Sequence, residues 1–394
     1  MQSAKSRWDA GSGRSGRGHA AGVGIEFTNS DPLTLGIEEE FLVVEAVDGV
    51  TPAPRADALL EGSWDTVASP GGWFKAELLR SSIEVATAPN ARLIQLDVDL
   101  RALREELVVR AEANGLALVA LGMHPALDAR LDDITPSEAH EGIARLHARV
   151  GTLADQVTHG IHVHVGVPDL DAAVAVMQAL AAHVSVFIAA TAHSPVTHGE
   201  RSTWRSARSE VQRRMLWAGP TPRFASTEEY EVVHALHQLE NTGDQRFLWE
   251  VAPVPALGTV EVRTFDSHPD PRVALGMAAL VQGIAAHVLD GGEVARSNES
   301  LERHNRWSAM EFGPRARFLV PGHDQPVDAP EIIRAAVELA HPYSRDLGNE
   351  EWLDVVEELI QRPPVDAAID AFEAGGVADL MAYGRLRATG AARE

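Results

Sequence analysis

Carboxylates recur at alternating positions in the short run GIEEEF. Successive side chains of a β-strand point to opposite faces. Glu38 and Glu40 would therefore share one face, while the residues between and beside them share the other. Such a pair is often only a solvated surface. Paired carboxylates on one face can also bind a metal ion, and this chemistry needs further ligands from elsewhere in the chain.

Three further segments show the same construction. Glu84 alternates with apolar residues in SSIEVAT, Glu261 and Arg263 alternate with valines in TVEVRT, and His162 and His164 do so in GIHVHVG. Each pattern alone has an ordinary explanation. A Glu-x-Arg strand is typical of a surface ion pair, and a His-x-His strand can be structural or can bind a different metal. Their joint occurrence makes a shared site the better interpretation.

A site built from these four faces would bring four glutamates together. Their mutual repulsion would raise their pKa values unless a cation neutralised them. Many oxygen ligands with one or two imidazoles favour Mg²⁺, or Mn²⁺, over zinc. Mg²⁺ held by carboxylates usually keeps positions open for phosphate oxygens. The pattern therefore predicts a magnesium site that works on ATP.

Strands and helices must position these residues. Alternation and turn signals predict strands at 33–45, ended by Asp48-Gly49, and at 82–88, 116–122, 161–167 and 259–265. Helical spacing predicts helices at 93–114, 171–192, 228–239 and 271–289, and two more within the last eighty residues. Residues 194–226 are expected to form a functional loop region.

This order of elements predicts an α+β fold, in which a mainly antiparallel sheet has helices on one side. Residues 31–390 are expected to form one catalytic domain, and the Gly/Ser/Arg-rich residues 1–30 a flexible tail. Neither a G-x-G-x-x-G fingerprint after a first strand nor a G-x-x-x-x-G-K-[ST] loop is present. The common nucleotide-binding folds therefore lack their main sequence support.

Composition excludes several classes of function. The 394 residues carry a net charge of −23, and lysine occurs only at positions 5 and 75, so nucleic acid is not expected as a partner. Cysteine is absent, which excludes disulfides and thiolate chemistry. No uninterrupted apolar run is long enough for a membrane span, so we expect a cytoplasmic protein with small-molecule substrates. A homo-oligomer is compatible with this composition.

Six motifs, taken in order, resemble the second type of glutamate-cysteine ligase, also called carboxylate-amine ligases. They are GIEEEF, KAELLRSSIEVAT, GMHP, GIHVHVGVPD, the pair Ser194-Pro195 with the later Ser206-Ala207-Arg208, and GTVEVRTFDS. The resemblance covers residues 33 to about 320. It implies a fold similar to the catalytic domain of glutamine synthetase.

The resemblance also implies roles for individual residues. The expected Mg²⁺ ligands are Glu38, Glu40, Glu84, His162 and Glu261, with Glu77 as a further candidate. Arg263 is expected to contact the transferring γ-phosphoryl group, and Arg208 a substrate carboxylate or phosphate. His164 is expected beside the nucleotide or in support of the ligands.

The implied reaction is ATP-dependent. A substrate carboxylate attacks the γ-phosphate to give an acyl phosphate, and an amine then forms the amide. Glutamate and cysteine are the first substrates to consider. The chain departs from the family pattern at Ala252, Ser308 and Glu311, where many members carry arginine, and the loop from Ser194 to Arg208 lacks the family's Thr-Gly pair. These departures concern substrate contacts and leave the expected metal ligands intact.

Two other interpretations remain open at this stage. His162 and His164 could bind the catalytic metal of an amidohydrolase, which would act without ATP. Alternatively, the chain could be a catalytically silent homologue that binds nucleotide but has lost turnover with the missing arginines.

Overall fold

An antiparallel β-sheet organises the computed structural model, which describes residues 24–215, 218–240, 247–294 and 296–388. The strands are β1 (Leu35–Glu45), β2 (Val67–Ser69), β3 (Gly72–Ala76), β4 (Ser82–Thr87), β5 (Leu116–Val119), β6 (Gly160–Gly166), β7 (Val196–Thr197), β8 (Glu200–Arg201), β9 (Ala218–Gly219), β10 (Leu248–Trp249), β11 (Val251–Val254), β12 (Thr259–Asp266), β13 (Arg317–Phe318) and β14 (Val327–Asp328). Within the described residues the main sheet has eight strands, and the other strands form two-stranded pieces.

The main sheet has the order β11-β12-β6-β1-β4-β3-β2. Strand β1 is its centre, because β6 pairs with the N-terminal half of β1 and β5 with the C-terminal half. Every pairing in this sheet is antiparallel. The predicted antiparallel α+β fold is therefore confirmed.

Helices cover the apolar face of the sheet. The helices are α1 (Leu93–Ala113), α2 (Glu138–Val150), α3 (Leu170–Ala182), α4 (Val184–Thr191), α5 (Ala207–Arg213), α6 (Thr227–Glu240), α7 (Arg272–Leu289), α8 (Glu299–Phe312), α9 (Ala329–Asp346), α10 (Leu353–Gln361) and α11 (Pro364–Gly384). Apolar residues of β1, β4, β6 and β12 form one buried cluster with residues of α1, α3, α4 and α7. Burial of this face fixes the register of the strands, since a slip of one residue would expose it.

Helix α7 lies at the centre of this core. It is long and apolar enough to span a membrane, as α3 and α4 would be if they formed one straight helix. Within the structure, 78% of this 18-residue helix is buried. Its apolar character is therefore explained by packing inside the protein.

Two helix predictions were wrong in detail. The helix predicted at 171–192 is divided at His183 into α3 and α4, which are bent by 53°. The backbone of His183 leaves helical geometry, and its Nδ1 lies 2.9 Å from the carbonyl oxygen of Ala179. A side chain that bonds to this carbonyl can interrupt the helix. The sequence has no Gly or Pro at this point that would have predicted the break. The last eighty residues contain three helices instead of two, because Gly348 and Pro363 interrupt the apolar pattern.

The last helix covers a face that the sequence interpretation left open. Leu42 and Val44 alternate with the core residues of β1 and point to the opposite side, where they pack with Leu380 and Met381 of α11. Helices therefore lie mainly on one side of the sheet, and α11 closes the other side near β5. The remaining part of that second face carries the polar residues.

The segment before β1 runs along the edge of the sheet. Thr28 donates its backbone N–H to Pro255, and Ser30 donates its hydroxyl to the carbonyl of Gly258. Residues 1–23 of the expected tail lie outside the described residues.

Candidate active site

The antiparallel register brings the four predicted polar faces onto one surface. The directly opposed pairs are Glu38 with His162, Glu40 with Glu84, Glu84 with Lys75, and His164 with Glu261. Directly opposed residues share a face of the sheet. Residues separated by more than 200 positions in sequence therefore form one buried polar surface, continuous from β3 to β12.

A first group of possible metal ligands lies on β1, β6 and β12. One ligand atom each from Glu38, His164 and Glu261 lies within 4.8 Å of the other two. His164 Nδ1 is 3.0 Å from Thr259 Oγ1, which orients the ring. His164 Nε2 is buried and has no hydrogen-bond partner among the described residues, lying 3.7 Å from Glu38 and 3.6 Å from Glu261. A buried nitrogen aimed between two carboxylates fits a cation.

His162 lies between this group and its neighbours. Its Nδ1 is 3.3 Å from Glu38, its Nε2 is 3.7 Å from Glu40, and Arg263 Nη1 is 3.5 Å from Nδ1. The sequence interpretation made His162 a ligand and placed His164 beside the nucleotide or in support of the ligands. In the structure His162 Nε2 faces Glu40, and His164 Nε2 faces Glu38 and Glu261, so each ring points a nitrogen towards carboxylates.

A second group consists of Glu40, Glu77 and Glu84, whose ligand atoms also lie within 4.8 Å of one another. Burial raises the pKa of Glu40 and of Glu77 to about 7, and burial followed by the charge of Glu38 raises the pKa of Glu84 to about 8. Three carboxylates held this close cannot all ionise without a compensating cation. Their oxygen-only composition suits Mg²⁺ or Mn²⁺.

Arg263 reaches the first group from a β-bulge. The pairing of β12 with β6 shifts between Val262 and Phe265, so Arg263 lies where the ladder is interrupted. Bulges often re-aim a side chain beside an active site. Arg263 Nη2 is 3.1 Å from Glu261, and its buried Nε has no hydrogen-bond partner within the described ranges.

Arg208 lies at the other end of the surface and is 1% exposed. It donates from Nη2 to the carbonyl oxygen of Arg263, and its Nε and Nη1 lack hydrogen-bond partners in the part of the chain that the structure describes. Glycine is needed at position 160, because a Cβ there would lie 2.0 Å from Arg208 Nη2. The backbone N–H of the same Gly160 donates to Glu40 at 2.6 Å.

A polar scaffold holds the segment that carries Arg208. Asp266 accepts hydrogen bonds from Ser194 Oγ at 2.7 Å and from Ser206 Oγ at 3.0 Å. Ser206 also caps the N-terminus of α5, on which Arg208 lies. The predicted loop region 194–226 thus contains a short helix and is tied directly to the end of β12.

Sequence reasoning missed a buried ion pair behind the site. Glu39 points away from Glu38 and Glu40 and is fully buried. Arg104 of α1 binds both of its oxygens at 2.6 Å and also donates to the carbonyl of Pro269. This bidentate pair connects β1, α1 and the end of β12. The run of three glutamates contained the signal, because its middle member faces the core and needs a partner.

Lys75 was also missed. Its Nζ lies 2.9 Å from Glu38 Oε1 and 2.6 Å from Glu84 Oε1. Burial alone would raise the pKa of Glu38, but Lys75, and then His162, outweigh burial and hold that pKa well below its usual value. The signal was present in the composition, since Lys75 is one of two lysines in the sequence.

A cavity of about 490 Å³ adjoins the first group. Its walls include Trp73, Pro89 and Leu257, and it also contacts Glu38 and His164. Polar residues such as Thr87 and Thr259 also line it, so the cavity offers both apolar surface and hydrogen-bonding groups to a small molecule.

The positions where the sequence departs from the family pattern lie on β11 and on α8. Ala252 is buried and directly opposes Glu261 in the sheet. Ser308 of α8 donates to the carbonyl oxygen of Arg317 at 3.1 Å. Glu311 has one buried oxygen without a hydrogen-bond partner among the described residues.

Comparison with solved structures identifies proteins that share this fold. At 15% identity, the fold matches a crystal structure of glutamate-cysteine ligase from Francisella tularensis in complex with AMP, with a TM-score of 0.65, over 91% of this chain and 88% of that chain. It also matches the ligase PafA in its complex with the ubiquitin-like protein Pup, at 14% identity and a TM-score of 0.54, over 90% and 74% of the respective chains. These likenesses confirm the predicted glutamine synthetase-like fold.

Sequence comparison identifies the family. The model of glutamate-cysteine ligase family 2 matches residues 34–365. A Rubrobacter xylanophilus protein provisionally named glutamate-cysteine ligase 2-3 is 34% identical over 343 residues, covering 84% of this chain and 90% of that protein. A Thermobifida fusca protein provisionally named glutamate-cysteine ligase 2 is 30% identical over 388 residues, covering 92% and 96%. The chain belongs to glutamate-cysteine ligase family 2 and is a carboxylate-amine ligase.

Proposed function

We propose that this ligase uses ATP and Mg²⁺, or Mn²⁺, to join the carboxylate of glutamate to an amine, with cysteine as the first acceptor to test. One observation carries the proposal. Two groups of possible ligands, the buried Glu38/His164/Glu261 and the partly buried Glu40/Glu77/Glu84, lie side by side at one sheet surface. Two adjacent cation positions suit a reaction in which a phosphoryl group passes between two anionic reactants.

The cavity beside the first group is the proposed site of the nucleoside. Trp73 and Leu257 offer apolar surface to a base, while Glu38 and His164 lie at the end where phosphates would meet the cation. The Francisella relative was solved with AMP, which supports a nucleotide site in this fold. The donor carboxylate would then approach from the side of Arg263 and Arg208.

The proposed reaction has two steps. A carboxylate oxygen of the donor attacks the γ-phosphorus of ATP, which releases ADP and leaves an acyl phosphate. The amine nitrogen then attacks the acyl carbon, phosphate leaves, and the nitrogen loses a proton to form the amide. A bound divalent cation supplies Lewis-acid neutralisation of the phosphate oxygens.

The chain's own residues would bind and orient the reactants. His164 Nε2, with Glu38 and Glu261, would hold the cation nearest the nucleotide, and Glu40, Glu77 and Glu84 would hold the second. Arg263 has an unused Nε beside the first group and would bind the transferring phosphoryl oxygens. Arg208, whose charge lies near Glu40, would bind the carboxylate of the donor.

The test is ADP and phosphate release from purified protein with Mg-ATP, glutamate and a panel of amines that includes cysteine. Glu38→Ala serves as the inactive variant. Glu45→Gln serves as its matched control, because Glu45 lies on the same strand but pairs with Arg55 at the surface. Amine-dependent release that only Glu38→Ala abolishes is the expected result.

The absence of release with every acceptor would contradict the proposal. If Mg-ATP still bound under those conditions, the chain would be the silent nucleotide-binding homologue. The replaced family arginines at Ala252, Ser308 and Glu311 give that second candidate its support. Hydrolysis of an amide without ATP would instead favour the amidohydrolase.

A further inference from the structure

Lys75 occupies the space between the two groups of possible metal ligands. It ion-pairs with Glu38 of the first group and with Glu84 of the second, at 2.9 and 2.6 Å. The contact with Glu84 follows from the register, since the two residues directly oppose each other on β3 and β4. The lysine side chain is 20% exposed, so water screens these contacts weakly.

The contact of Lys75 with Glu38 engages only part of that carboxylate. Lys75 binds Glu38 through Oε1, while Glu38 Oε2 points towards His162, at 3.3 Å, and His164, at 3.7 Å. On Glu84 the shortest contact of Lys75 is with Oε1. On Glu38, Lys75 and the two histidines therefore contact different oxygens, so the carboxylate can remain paired with the ammonium while Oε2 faces the first group.

We propose that Lys75 is an internal cation that lowers the affinity of both groups for free divalent metal, so that the site selects the anionic metal-nucleotide complex over the free ion. The location of the metals rests on the proposed function. Lys75 contacts one carboxyl group of each group and places its one positive charge between the two groups. A metal ion alone would be repelled by this charge, whereas the complex of the metal with a nucleotide triphosphate carries a net negative charge and would be attracted.

The expected effect is large because the charges are close and buried. The interaction between charges a few ångströms apart in a poorly solvated site changes an equilibrium constant by more than tenfold. Removal of the ammonium should therefore strengthen the binding of a free divalent ion by about tenfold or more. Arginine should preserve the effect, since it also carries a permanent charge.

The experiment measures Mn²⁺ binding to the full chain by electron paramagnetic resonance, first without nucleotide. Lys75→Met should bind free Mn²⁺ at least about tenfold more tightly than the unmodified protein, while Lys75→Arg stays within about threefold of it. Lys5→Met is the matched control, because Lys5 is the other lysine of the sequence. In a second titration with Mn-ATP, Lys75→Met should show no such gain.

A Lys75→Met protein that binds free Mn²⁺ equally or more weakly would overturn the proposal and make Lys75 only an orienting group. Lys75→Gln, which keeps hydrogen-bond donors without the charge, gives the same comparison if the Met variant does not fold. Trp73 lies two residues away on β3 and offers a fluorescence readout of the same isotherms. Absence of ligase turnover would count against the proposed function but would leave the metal isotherms to decide the role of Lys75.

Discussion

The two ends of the polar surface are built in different ways. At the acidic end, Glu38, Glu40, Glu84 and Glu261 lie on regular strands, and the register alone brings them together. At the arginine end, Arg263 comes from a bulge and Arg208 from a short helix capped by Ser206. The acidic end thus depends on alternation within strands, whereas the arginine end depends on irregular backbone and on contacts between distant segments.

The chain keeps the family pattern at some positions of the site and departs from it at others. The acidic residues of the family pattern are all present, while the departures lie at Ala252 on β11 and at Ser308 and Glu311 on α8. Glu250, close to one of these departures, forms a buried ion pair with Arg306 of α8. A scaffold for phosphoryl transfer can therefore stay constant while the surface that selects the carboxylate and amine varies.

The largest effect is expected from a ligand at the acidic end. Glu261→Gln should lower kcat/KM about a thousandfold and raise the Mg²⁺ concentration needed for turnover, because it removes a charge from the first group. Steady-state kinetics over a Mg²⁺ series measures both. Glu45→Gln, on β1 of the same sheet, is the control. A Glu261→Gln enzyme with unchanged Mg²⁺ dependence would remove this residue from the metal site.

The next largest effect concerns the ion pair behind the acidic end. Arg104→Met should lower the free energy of unfolding by about 3–5 kcal/mol, because it leaves the carboxylate of Glu39 buried and unpaired. The double variant Glu39→Leu/Arg104→Met should recover a large part of that loss. Urea unfolding monitored by circular dichroism compares the variants. A double variant no more stable than Arg104→Met would show that geometry, not the unpaired charge, dominates.

The sequence predicted the acidic end well for a physical reason. Period-two alternation assigns faces, so Glu38, Glu84 and His162 could be placed on one surface before their register was known. The sequence interpretation gave the ligand role to His162 alone, whereas the structure places the rings of both His162 and His164 among the carboxylates. It also missed Lys75, whose role appears only when β3 is paired with β4. Contacts of this kind depend on tertiary structure and leave no local pattern.

A smaller effect follows from the raised pKa values of the second group. In metal-free protein the folded state holds protons on Glu40 and Glu77 up to about pH 7 and on Glu84 up to about pH 8, whereas the unfolded chain has already released them. At these three sites the unfolded state binds fewer protons, so their contribution to stability falls as pH rises. Between pH 6.5 and 8 that contribution should fall by on the order of 2 kcal/mol.

Saturating Mg²⁺ should reduce this dependence on pH, because a bound cation replaces the protons. Denaturant unfolding at pH 6.5 and 8, with and without Mg²⁺, measures the difference. Buried histidines such as His124 and His159, whose pKa values burial lowers to about 4 and 3, act in the opposite direction near pH 6.5, because the unfolded chain still binds part of their protons there. Their contribution is the same with and without Mg²⁺, so the difference between the two conditions isolates the second group. Equal slopes in both conditions would place the cation away from the second group.

The smallest effect is expected on α8, where Ser308 stands in place of a family arginine. Its hydroxyl donates to the carbonyl oxygen of Arg317 at 3.1 Å and accepts from the N–H of the same residue at 3.2 Å, so it connects α8 to β13. Ser308→Ala should therefore cost about 1 kcal/mol of stability and leave kcat/KM within twofold. Thermal unfolding and substrate titrations test the two parts separately. An increase in KM for the acyl donor without loss of stability would instead make Ser308 a substrate contact, and the contrast between a constant acidic end and a varied substrate surface would then extend to α8.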